Sequence, residues 1–177
     1  MPSLLLLGVP IHQVIGSVKF SNMIASFSSF YVLFKKMELT LRNVLPLIPF
    51  ALLGGLCGGL LANTFTEKTM NLVSLFLLAS AMLLSFIRKP APKNDGQWKM
   101  PKKSYPALFG ISVYDGMFGP GQATMLMYTF LNYGATYLQS LAYTRFQTFI
   151  SCTAAFFTFF IAGNIAWDVA FYMRPDL

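Results

Sequence analysis

Lys19, Asp115 and Arg145 are ionisable residues set inside long apolar stretches, and Gly119-Pro120-Gly121 interrupts one of those stretches midway. Proline has no backbone N–H to donate and its glycine neighbours add no side-chain bulk, so a helix fails there. Freed backbone groups at membrane depth are tolerated only inside protein or against a watery cavity. A half-helix restarting near Gln122 would present N–H groups and a positive dipole end to an anion. Lys19 and Arg145 are candidate cations for the same ligand, and Asp115 is a candidate counter-charge or proton carrier. Asn22, Gln122, Thr124, Gln139 and Gln147 are candidate hydrogen-bond donors. Each feature also has a plainer reading. The break serves equally as a packed proline kink. The cations snorkel to a nearby interface or pair with a carboxylate such as Asp115. Asp115 caps a helix, and the amides and hydroxyls hold helices together.

Other chemistries find little support. Cys57 and Cys152 sit alone in different apolar stretches, and His12 is the one histidine. No Cys-x-x-Cys or His-x-x-x-His spacing occurs, so neither a metal site nor a cofactor is expected. Six acidic residues with no base–nucleophile pair inside the apolar stretches make an enzyme an unfavoured reading.

The elements that must position these residues follow from composition. Hydrophobic residues make up 55% of the chain and charged ones 11%, against about 25% charged in a soluble domain. The fold expected is all-α, a polytopic transmembrane helix bundle. About 20 apolar residues cross a bilayer, which gives full spans near 16–34, 44–62, 70–87 and 138–161. A broken span covers 105–133, and stubs lie at 1–15 and 165–173. The Leu4–Leu7 run has no basic region before it and is not a secretory signal. Gly54, Gly55, Gly58 and Gly59 form overlapping Gly-x-x-x-Gly pairs suited to close helix packing.

The stretch from Arg88 to Lys103 holds Arg88, Lys89, Lys93, Lys99, Lys102 and Lys103 against Asp95 alone. The positive-inside rule places the 88–104 loop in the cytoplasm. Lys35, Lys36 and Arg42 fall on the same side, and the alternate loops near 63–69 and 132–139 carry no net charge. Membrane topology therefore explains the net charge of +7 without nucleic acid.

A shift of 126 positions sets Gly8 on Gly134, Gln13 on Gln139, Lys19 on Arg145, Phe20 on Phe146, Ile24 on Ile150, Phe30 on Phe156 and Phe34 on Phe160. The reading is of two repeats, 1–87 and 105–177, in the same orientation, with Lys19 and Arg145 at equal depth. Secondary transporters commonly place their site between such repeats near the midplane. Each repeat lacks part of its partner's pattern, so a form truncated at both ends is expected.

The stretch from Gly110 to Leu126 resembles the hallmark of the sulfite exporter TauE/SafE family, the TSUP transporters. Tyr114, Asp115, Gly116, Phe118, Gly119, Pro120, Gly121 and Thr124 match its pattern, while Met117 and Ala123 depart from it. Thr144-Arg145 resembles the family's Thr-Lys element, and Lys19 is kept behind a divergent Ser17-Val18. The resemblance implies an eight-helix carrier of two parallel four-helix repeats in a bacterial inner membrane. It implies transport of sulfite or organosulfur anions by alternating access. Substrate contacts would come from Lys19, Asn22, Asp115, Gly119, Pro120, Gly121, Gln122, Thr124 and Arg145. The partners expected are the bilayer, a small anion and further copies of the chain. The competing reading is a non-transporting membrane remnant or assembly partner.

Overall fold

The computed structural model describes residues 10–37, 45–85 and 104–165. The stub residues 1–9, the loop residues 86–103 and the stretch from 166 lie outside them. Six helices are described: α1 (Ile11–Met37), α2 (Leu47–Thr64), α3 (Glu67–Ser85), α4 (Tyr105–Met117), α5 (Gln122–Asn132) and α6 (Tyr137–Ile161). At 1.5 Å per residue, α1 and α6 are about 40 and 37 Å long, enough to cross a bilayer. Among the described residues α2 alone joins sufficient length to sufficient apolarity. Buried polar residues dilute α1 and α6. Lys19, Ser17 and Ser26 line one, and Ser140, Thr144, Gln147, Thr148 and Ser151 the other.

The bundle buries a set of polar side chains beside its apolar core and turns large hydrophobics outward. Leu53, Leu60, Leu72, Leu75, Phe76, Phe157, Phe160 and Ile161 are exposed large hydrophobics. A water-facing surface with so many neighbouring apolar side chains would aggregate. Against lipid tails the same surface carries no penalty, and interior polar contacts hold the helices together.

The glycines of α2 let it lie between α4 and α6. A Cβ on Gly54 would stand 2.5 Å from Ser112 Cβ, and one on Gly116 of α4 would stand 2.6 Å from the Gly55 carbonyl. Gly55 and Gly59 abut Ser151 and Thr158 of α6. The close-packing role expected of the α2 glycines is what the structure has.

Helix directions follow from paired residues. Phe50 at the start of α2 stacks on Tyr105 at the start of α4, centroids 4.8 Å apart, so α2 and α4 run parallel. Gln147 meets Ser112, and Cys152 meets Asp115, so α6 runs with them. The arm α5 runs back, pairing Gln122 with Thr148 and Phe130 with Tyr143. The stretch 105–133 is therefore a helical hairpin. Its two arms, about 20 and 16 Å long, are each too short for a crossing of about 30 Å.

This corrects the expected repeat geometry. The rings of Phe20, Phe27 and Phe30 lie on Phe156, Phe149 and Phe146 in turn. The helices carrying Lys19 and Arg145 are thus antiparallel, not co-directional as two parallel repeats require. The physical reason is the hairpin. It returns the chain to its starting end, so α6 leaves from the end where α4 began. One apolar cluster closes that end, with Leu47, Leu108, Phe130, Ala135, Ala142 and Tyr143. It is called here the basic-loop end, because the 88–104 stretch joins α4 there. A second cluster of Ile11, Ile15, Ala62, Met70, Phe118 and Phe159 closes the far end.

Candidate functional site

The hairpin turn sets the site. Phe118 ends α4, Gly119 and Gly121 take positive φ of 100° and 84°, and α5 begins at Gln122. Those left-handed conformations favour glycine. The Tyr114 hydroxyl donates to the Pro120 carbonyl and ties the turn to the last turn of α4. The Gln122 N–H donates to the Gly119 carbonyl at 3.1 Å, and its side-chain amide donates to Thr148 Oγ1 at 2.8 Å.

Lys19 reaches this turn from α1. Its Nζ is 2.7 Å from Asp115 Oδ1 and also donates to the Asp115 backbone carbonyl. That carbonyl belongs to the last turn of α4, where partial negative charge collects and a cation is favoured. Both side chains are sealed, at 0% and 1% exposure. A Cβ on Gly119 would stand 3.0 Å from Lys19 Nζ and 3.3 Å from Asp115 Oδ1. Glycine is needed there for room as well as for backbone conformation. Cys152 Sγ completes the cluster, donating to Asp115 Oδ2 at 3.5 Å. The cluster lies about two turns inside the far end, counted from Ile11.

The structure thus gathers Lys19, Asp115, Gly119, Pro120 and Gly121 at one point, with Gln122 and Thr124 in the adjoining turn of α5. The Gln122 side chain is spent on Thr148, which favours the plainer reading of helix–helix hydrogen bonding. Gln147 behaves likewise, donating to the Leu108 carbonyl and Ser112 Oγ. Asn22 lies exposed on the bundle surface. Arg145 is half-buried and seven residues before Cys152 on α6, about 10 Å nearer the basic-loop end. The two cations therefore stand at different depths. Cys152 is isolated along the sequence, and only the approach of α4 to α6 gives it a partner.

A sealed ion pair is thus lodged against the break between α4 and α5. The family model for the sulfite exporter TauE/SafE matches residues 1–175. The chain belongs to that family. Two relatives agree with a TauE/SafE transporter. A probable membrane transporter protein, ORF9, of a Sinorhizobium species is 29% identical over 180 residues, covering 98% of this chain and 67% of the relative. A probable membrane transporter protein of Haemophilus influenzae is 27% identical over 180 residues, covering 98% of this chain and 69% of its own length. No solved structure matches the TauE/SafE chain. The helical bundle is that of a membrane transporter.

Proposed function

We propose that this TauE/SafE transporter carries a small anion, sulfite or an organosulfur compound, with Lys19 as the cation that holds it. The observation that carries the reading is the sealed Lys19–Asp115 pair at the tip of a Gly-Pro-Gly hairpin. Lys19 is the one fully buried cation among the described residues. In this state the Asp115 carboxylate occupies its ammonium. A sulfite oxygen presents similar charge and acceptor geometry, so substrate and Asp115 compete for one Nζ. Alternating access requires the site to open to one side at a time, and the hairpin tip is the element whose shift would uncover it. Sulfite as the substrate has its support in the family's name. A bacterial inner-membrane location, with the basic 88–104 stretch in the cytoplasm, has its support in the charge distribution.

Uptake of radiolabelled sulfite into proteoliposomes tests this. Lys19→Gln abolishes saturable uptake, while Arg145→Gln, remote from the pair, retains it. Full uptake by Lys19→Gln would overturn the assignment.

A further inference from the structure

A line of polar side chains runs along α6 from the basic-loop end toward the ion pair. Ser140, Thr144, Gln147 and Ser151 recur at helical spacing and fall within about 60° of one another around the axis. All four are sealed, none more than 1% exposed. Ser151 Oγ donates to the Ser112 carbonyl and Gln147 Nε2 to Ser112 Oγ, so the line meets α4 one turn before Asp115. Nearer the basic-loop end the partners stop. Ser140 Oγ, Thr144 Oγ1 and Gln147 Oε1 are buried without any hydrogen-bond partner.

Consecutive buried polar atoms without partners mark a place for an unseen ligand, and water is the usual one. Gln147 decides which ligand. Its amide cannot be flipped, because the Leu108 carbonyl accepts from it and can only accept. Its Oε1 is therefore a buried, bare acceptor and needs a donor. An anion brings acceptors. Water brings both.

We propose that this stripe holds a water column that delivers protons from the basic-loop end to Asp115, and that protonating Asp115 releases Lys19 to the anion. The release step rests on the reading of Lys19 given above; the column does not. A hydronium ion in the column gives its proton to an Asp115 carboxylate oxygen and is left as water. The Lys19 ammonium keeps its own protons and passes from the neutralised carboxyl to the anion. The titratable groups around Asp115 are Lys19 from α1, Cys152 from α6 and Tyr114 beside it on α4. The facing part of α2 is glycine, and the hairpin turn brings Gly119.

Silver ions, close to water in size, test the column in proteoliposomes. One cysteine at a time is added beside the native Cys152, in a Cys57→Ser background, by Ser140→Cys, Thr144→Cys and Ala142→Cys. Ala142 is equally buried at the same depth but lies off the stripe. Silver pretreatment protects positions 140 and 144 from maleimide added after denaturation, read site by site by mass spectrometry, and leaves 142 unprotected. Absence of protection at 140 and 144, or equal protection at 142, overturns the column. A second measurement tests its use. Asp115→Asn, fixed in a neutral form, loses the pH dependence of sulfite binding that exceeds the bisulfite–sulfite equilibrium of the ligand itself; an unchanged pH profile overturns the proton role. Normal sulfite binding by Lys19→Gln would instead overturn the anion reading and leave the silver result standing.

Discussion

Removing the Lys19 side-chain charge should unfold this protein more readily than removing both charges of the pair. The pair is sealed and 2.7 Å long, so Lys19→Met strands the Asp115 carboxylate in an apolar bundle. Breaking a buried pair in this way costs about 3–5 kcal/mol. The lost hydrogen bond to the Asp115 carbonyl adds about 1 kcal/mol. The double variant Lys19→Met/Asp115→Asn strands no charge, and replacing a buried pair by neutral groups is often close to neutral. The double variant should therefore recover at least the roughly 3–5 kcal/mol that a stranded charge costs, a coupling at or above the usual range of about 0.5–3 kcal/mol for contacting residues.

The buried thiol supplies the assay. Cys57 is exposed and Cys152 buried, so in a Cys57→Ser background a thiol dye reacts when the bundle opens. Unfolding in detergent is followed by Cys152 reactivity and by helical circular dichroism together. Coincident transitions separate global unfolding from local exposure beside the mutated site. A double variant as unstable as the sum of the two single variants would refute the argument. Lys19 and Asp115 would then be independent despite their contact.

Further substitutions probe the turn and the α2 glycines. Gly119→Ala combines a positive φ with a Cβ crowding Lys19 Nζ, so it should cost about 1–3 kcal/mol and depress sulfite uptake. Gly110→Ala on α4, where a Cβ meets nothing within 4 Å, should be neutral or stabilising by about 0.5–1 kcal/mol in the same melt. Gly58→Leu drives a side chain into the Val113 carbonyl and to within 2.8 Å of Gly116 Cα. It should abolish the monodisperse folded peak on size-exclusion chromatography, whereas Leu53→Ala on the exposed face should preserve it.

The parts of this fold that were legible in the sequence are those whose cost is local. A proline between two glycines cannot continue a helix, whatever surrounds it, and a lysine within apolar residues must find a partner. Lys19, Asp115 and the 119–121 turn are therefore each marked by the sequence, though it groups them with Asn22 and Arg145, which the fold sets apart. Direction was not local. An apolar stretch of 29 residues from 105 to 133 reads the same whether it crosses the bilayer or turns back at Pro120. Counting loops by charge took the crossing, and the parity of α6 followed from it. The α2 glycines were readable because small residues at four-residue spacing have one dominant use in apolar helices. Cys152 and the Ser140–Ser151 line were not, because their meaning depends on what lies across the helix interface. Gln147 and Ser140 look alike as polar residues in a span, yet one amide is tied to α4 and one hydroxyl is left open. That difference appears only when α4 is laid against α6. It separates polar contacts that hold the bundle from those that leave room for water.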